Sequence, residues 1–164
     1  MHHRMRRFLQ ALPEKEAYEL LEGSSHLILS LVDFDNSPYC VPVNFVIVDR
    51  AVYLHGAPMG TRSQLIRHNP KISACAVIQD EIVPEKLTSY YKSIVLQGSA
   101  AIVTDSDEKL MALISLAKKY APAFVQQGIQ EAKAQLQYVE VVKISINEIQ
   151  AKQSIELVKK TEKP

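Results

Sequence analysis

The stretch that decides the fold runs from 26 to 55. It reads His26-Leu27-Ile28-Leu29-Ser30-Leu31-Val32, Asp33-Phe34-Asp35-Asn36-Ser37-Pro38, Tyr39-Cys40-Val41-Pro42-Val43-Asn44-Phe45-Val46-Ile47-Val48, Asp49-Arg50, Ala51-Val52-Tyr53-Leu54-His55. Two runs rich in apolar and β-branched residues flank a polar turn, which predicts a hairpin of two long strands. Asp49-Arg50 then makes a tight connection into a third antiparallel strand. Pro42 has no N–H to give to a ladder, so it needs an edge or a bulge.

Outward from this meander, Pro13 suits a first helical turn, and Ala17, Leu20 and Leu21 fall at helical spacing before Gly23, predicting a helix over 13–23. Gly56-Ala57-Pro58-Met59-Gly60 breaks the strand pattern, and Thr61 is placed to cap a helix carrying Leu65 and Ile66 that ends before Asn69-Pro70. Ile72 to Ile78 reads as a strand and Tyr90 to Val103 as another, bent at Gly98, with Asp80 to Thr88 as the loop between them. Asp105 and Glu108 have capping-box spacing before a helix to about Lys119. A helix over Ala123 to Gln137, weakened by Gly128, and a strand over Tyr138 to Ile146 complete the pattern. This is too much β for a helical bundle, and it lacks the βα alternation of a parallel sheet. The expected class is mainly β (α+β), a small antiparallel barrel with peripheral helices.

The 164 residues suit one domain over 1–164, with a basic arm at 1–12 and a mobile tail from about 155 to 164. Hydrophobic residues at 47% and charged residues at 23% exclude a disordered chain. A net charge of +1 excludes a global field toward nucleic acid or anionic membrane, although local groups can still hold a small anion. No apolar run approaches the roughly 20 residues of a spanning helix. The start, Met1-His2-His3-Arg4-Met5-Arg6-Arg7, leads into a stretch containing Gln10, Pro13, Glu14 and Lys15, not the apolar core of a secretory signal. Cys40 and Cys75 stand singly, without metal-ligand spacing. They read as buried free thiols, which favours the cytoplasm and predicts no metal site.

Three segments could carry chemistry. In Leu54 to Arg62, backbone amides at a helix start, the Thr61 hydroxyl and the Arg62 guanidinium could converge on a phosphate; the same residues also make an ordinary turn, and no P-loop spacing is present. In Pro42-Val43-Asn44-Phe45, a strand edge and an amide could meet a flat heterocycle while Phe45 gives apolar contact, or the segment packs in the core. Ser89-Tyr90-Tyr91-Lys92-Ser93-Ile94-Val95 is either a site wall or an amphipathic strand. His55 reads as a general acid, a ligand-stacking group or a strand-end histidine bonded to backbone. Arg4, Arg6 and Arg7 form a solvated arm or reach a phosphate.

Taken in order, Pro38 to Phe45, Tyr53-Leu54-His55-Gly56-Ala57 with Gly60-Thr61-Arg62 and Asn69-Pro70, and Ser89 to Val95 leading to Gly98 closely resemble the flavin-binding split-barrel family related to pyridoxamine 5'-phosphate oxidase. The branch of nitroimidazole-resistance proteins is the most similar. The resemblance runs from Arg6-Arg7 to about Ser154. It implies a six-stranded split barrel paired as a homodimer, with FMN in clefts at the subunit interface. It also implies Val43, Asn44 and Phe45 along the flavin ring, His55, Gly56 and Ala57 beside the cleft, Thr61 and Arg62 at the phosphate, and Ser93 and Val95 completing the wall. Arg62 stands where the family often has lysine, which preserves charge and adds a forked contact; Ala151 stands where the family often has glycine. The implied function is an oxidoreductase that passes electrons from a reduced nicotinamide, NADH or NADPH, to a small planar acceptor such as a nitroaromatic, with His55 moving a proton or orienting the acceptor. The alternative is a noncatalytic protein that binds or senses flavin or haem.

Overall fold

The computed structural model describes residues 5–161, so Arg4 of the expected basic arm lies outside the described residues. The elements are β1 (Ala11–Leu12), α1 (Glu14–Gly23), β2 (Leu27–Val32), β3 (Pro38–Val43), β4 (Val46–Val48), β5 (Ala51–Gly56), α2 (Thr61–His68), β6 (Lys71–Val83), β7 (Thr88–Ile102), α3 (Ser106–Tyr120), α4 (Val125–Gln135), β8 (Glu140–Gln153) and α5 (Ile155–Thr161). The segment expected as a mobile tail thus contains helix α5.

The sheet has the order β3-β2-β6-β7-β8-β5-β4, with β1 pairing to β8 outside this path, and the pairings are antiparallel. β3 and β4 lie at opposite ends of that path, yet only Asn44 and Phe45 separate them in the chain. So short a link forces the sheet to curl until its two edges approach, producing a half-barrel with a split between them. Instead of the expected second long strand, the chain leaves one edge at Val43 and joins the other at Val46. That break, with the addition of Ala11–Leu12, raises the strand count above six. Pro42 sits in edge strand β3, where its missing N–H leaves no ladder bond unmade.

Two apolar cores hold the fold. Leu27, Leu29, Phe45, Val52, Leu54, Ile94, Leu96 and Ile144 fill the barrel. Ala51 and Tyr53, on the opposite face of β5, pack beneath Leu113 and Leu116 of α3 and Ala132 of α4. β5 is therefore covered on both faces, and its residues from Ala51 to Leu54 are all buried.

Local chemistry explains the boundaries. Asp49 and Arg50 both take positive φ, the geometry of a two-residue hairpin turn. Asp105 caps α3 by accepting from the Glu108 N–H at 2.7 Å, and Glu108 in turn accepts from the Tyr53 hydroxyl and from Lys143, each at 2.7 Å. The expected loop from Asp80 to Thr88 is mostly strand: β6 and β7 continue their ladder to Val83 and Thr88, and the turn shrinks to 84–87 with Leu87 left-handed. The register of β7 on β8 shifts between Gln97 and Gly98, where the bend was expected. Cys40 and Cys75 are free but exposed, not buried, because the pleat turns them to the outer face of the sheet. No helix among the described residues is long and apolar enough to cross a membrane.

Candidate functional site

The β4–β5 hairpin carries His55 and Gly56 to the end of β5, where they pair with Val141 and Glu140 of β8. The chain turns through Met59, at φ 64°, and enters α2. Gly60 is the N-cap residue, so the expected Thr61 cap is not formed, and no side chain caps the helix. The first-turn amides at the positive end of α2 thus face outward without a side-chain acceptor.

Arg62 folds back from that turn. Its Nη2 donates to the His55 carbonyl at 2.9 Å, and a Cβ on Gly56 would lie 2.0 Å from the same nitrogen. The absence of a side chain at Gly56 is what lets the guanidinium lie so close to the strand. The Arg62 Nε is buried and has no hydrogen-bond partner. Burial lowers the Arg62 pKa, and the charges of Glu140 and Tyr39 oppose that shift; an arginine so placed still keeps its charge.

Glu140, which the sequence reading did not single out, is buried and accepts from Arg67 of α2 through Oε2, while its Oε1 has no partner. A signal for it was available: Tyr138-Val139-Glu140-Val141-Val142 places one carboxylate in an apolar strand, and a buried charge demands a cation. The β5–α2 turn therefore gathers two guanidinium groups against one carboxylate.

His55 points into a second part of the site. A cleft of about 450 Å³ opens between Asn44, His55 and the α3–α4 pair, with Leu113 and Leu116 on its apolar wall and Glu131 and Gln135 on α4. Partial desolvation of the ring, with the nearby positive charge of Arg62, pushes the His55 pKa down and favours its neutral form. The Asn44 amide donates to the Ser25 carbonyl at 3.2 Å. The Tyr120 hydroxyl lies 2.6 Å from that carbonyl and accepts from the Phe45 N–H at 2.9 Å, pinning the link between β3 and β4.

The remaining expected residues separate. Val43 and Phe45 are buried in the barrel core, so the expected apolar contact from the Phe45 ring is not made at the surface; Lys119 Nζ lies 3.8 Å from the centroid of that ring. Of the expected trio, Asn44 alone lines the cleft, because the link turns its side chain outward between two core residues. Ala57 and Thr61 are exposed beside Arg62. Within one chain Ser93 and Val95 are not brought to the cleft. They lie on the outer sheet face, with Val95 in register between Cys75 and Gln150, and Ser93 between Val77 and Lys152.

This donor set fits a phosphate monoester carried by a flat ring. An uncapped helix start with the Arg62 guanidinium beside it could hold an anion, and Asn44 and His55 offer polar groups nearby. Among the described residues, no group of three or more His, Cys, Asp or Glu is placed to hold a metal ion.

The model of the pyridoxamine 5'-phosphate oxidase family matches residues 13–153. No curated protein matches the sequence. Among solved structures, a candidate 5-nitroimidazole antibiotic resistance protein from Bacteroides thetaiotaomicron superposes with a TM-score of 0.73 at 18% identity, covering 87% of this chain and 86% of its own. The flavocytochrome Anf3 from Azotobacter vinelandii gives 0.76 at 17% identity, covering 99% and 80%. The FAD and heme binding protein from Mycobacterium smegmatis gives 0.76 at 15% identity, covering 94% and 81%. At these identities the likeness is one of fold.

Proposed function

Since the chain belongs to the pyridoxamine 5'-phosphate oxidase family, we propose that it is an FMN-binding oxidoreductase passing electrons from a reduced nicotinamide to a small planar acceptor, nitroaromatics included. The observation that carries this reading is Arg62 seated on Gly56 with an unused Nε, next to an uncapped helix start. FMN is favoured over FAD because one anion site adjoins the cleft and no dinucleotide glycine turn follows a strand. A bound flavin supplies the hydride and electron chemistry. The protein's part is to hold the phosphate with Arg62 and the α2 amides and to present Asn44 and His55 to the ring. His55, whose neutral form is favoured, is placed to accept a proton or orient an acceptor.

A homodimer belongs to this reading. Pro42, Ile28, Cys75, Val95 and Gln150 stand in register across five strands of the outer face, with exposed Val77 in the neighbouring row. A second copy on this face would cover that apolar row and enclose the site with Ser93 and Val95. The cytoplasm suits two exposed free thiols.

The second reading is a noncatalytic flavin- or haem-binding protein, favoured by the cofactors of the two fold neighbours from Azotobacter vinelandii and Mycobacterium smegmatis. The visible spectrum of the purified protein, followed by titration with FMN, FAD and haem, separates the ligands. Oxidation of NADH or NADPH by the FMN-loaded protein then separates enzyme from binder. Equal or tighter binding of FAD removes the FMN assignment, a haem spectrum without flavin favours the second reading, and light scattering that gives a monomer removes the dimer.

A further inference from the structure

The cleft between Asn44, His55 and the α3–α4 pair contains more than the flavin reading uses. Its wall is apolar, with Leu113, Leu116 and Val139 contributing, and its volume of about 450 Å³ is in the range that takes a small organic molecule. Glu131 and Gln135 lie one helical turn apart on α4 and put a carboxylate and an amide on the same side of it. Among the residues lining the cleft, Glu131 alone carries a charge once His55 is neutral. The Arg62 guanidinium lies on Gly56 and donates to the His55 carbonyl; its charge reaches the His55 ring at one end of the cleft, but Arg62 does not line it, and Glu131 stands on the α4 wall. Lys119 is likewise directed at the Phe45 ring and not into the cleft. The one charged side chain that lines the cleft is therefore opposite in sign to the arginine beside it.

We propose that the α3–α4 side of this cleft takes an amphipathic organic cation, an aromatic body carrying an ammonium group, with Glu131 as its counter-charge. The apolar wall takes the aromatic body, Gln135 and Asn44 offer hydrogen bonds, and the carboxylate rejects anions of the same shape. That the occupant is the electron acceptor rests on the flavin reading; the charge preference does not.

The test uses a matched pair of probes, 1-naphthylmethylammonium and 1-naphthoate, titrated calorimetrically into the purified protein. Glu131 is exposed, so its pairing with a cation is screened and worth a few-fold in affinity. The ammonium probe is expected to bind about tenfold more tightly than the carboxylate, counting attraction of one and repulsion of the other. Glu131→Gln should remove most of that preference, and Gln135→Trp, which fills the cleft from an exposed helix position, should weaken both probes. Thermal unfolding of each variant confirms that it folds. Absence of binding, equal affinity for the two probes, a preference that survives Glu131→Gln, or binding indifferent to a folded Gln135→Trp would each overturn the inference. FMN titration is a separate arm: its failure with the ammonium preference intact removes the flavin reading alone, and the reverse outcome removes this inference alone.

Discussion

The guanidinium of Arg62 occupies the space in which a side chain at Gly56 would stand: a Cβ there would be 2.0 Å from Nη2 and 3.1 Å from Cζ. Both atoms belong to the free end of a flexible side chain, so Gly56→Ala should displace Arg62 instead of breaking the strand. The expected stability loss is below about 1 kcal/mol. FMN affinity should nevertheless fall by about tenfold, as for a lost charge-assisted bond, while riboflavin affinity changes little. Flavin fluorescence titration beside thermal unfolding reads both quantities.

Arg62→Ala separates phosphate from ring. Losing a charge-assisted bond costs roughly 1.5–3 kcal/mol, or about ten- to hundredfold in affinity, which should appear for FMN and not for riboflavin. The free protein should lose little stability, because the variant also removes a buried N–H that has no partner. Unchanged FMN affinity in a folded variant would place the phosphate elsewhere, and equal weakening of both flavins would indicate a distorted ring pocket.

The Arg67–Glu140 pair is unequal, with the Glu140 side chain 7% exposed and that of Arg67 50% exposed. Arg67→Ala strands a buried carboxylate and should cost about 2–3 kcal/mol, whereas Glu140→Gln frees an arginine that can turn to water and should cost less than half of that. Urea unfolding of both variants checks the order. A larger loss for Glu140→Gln would contradict this account.

Gly98 and Gly23 should respond oppositely to alanine. At Gly98 a Cβ would meet the Ser145 carbonyl oxygen at 2.3 Å, and backbone cannot step aside, so Gly98→Ala is expected to cost at least about 2 kcal/mol. At Gly23, in the last turn of α1, nothing lies within 4 Å, and Gly23→Ala should be neutral or stabilising by up to about 1 kcal/mol. Melting temperatures of the two variants decide it.

The depressed His55 pKa gives stability a sign against pH. The unfolded chain binds the His55 proton more readily, so this contribution is fully present above the ordinary histidine value near 6.5 and is lost as pH falls through the lower folded value. His55→Gln should lack that contribution, so the melting-temperature difference between wild type and variant should narrow from pH 8 to pH 5. A difference constant over this range would show that burial does not perturb His55.

Local patterns carried most of the element list. An apolar run before a polar turn marked β2, the Asp49-Arg50 turn marked the β4–β5 hairpin, and Asp105 with Glu108 marked the start of α3. Each depends on residues within a turn or two of one another, so one-dimensional reading reaches it. The Thr61 cap failed although its composition was right, because Gly60 became the capping residue, and the loop over 80–88 closed into ladder because cross-strand pairing continued past the polar residues.

What the sequence by itself determined was the mainly β class, the antiparallel pairing and the strand–turn–helix passage at 54–62, since these follow from periodicity and residue chemistry along the chain. Only the tertiary structure decided which strands are neighbours. The break at Asn44-Phe45 is set by the two sheet edges meeting, a closure that no local propensity encodes. The same holds for Cys40 and Cys75, whose exposure depends on which face of the sheet is covered, and for Val43 and Phe45, drawn into the core on either side of Asn44. The partners of the candidate site are also tertiary: Glu140 meets Arg67 from 73 residues away, and Glu131 reaches the cleft because α4 packs against α3. Burial and charge pairing act through distance in space, and the curl of the sheet creates those distances.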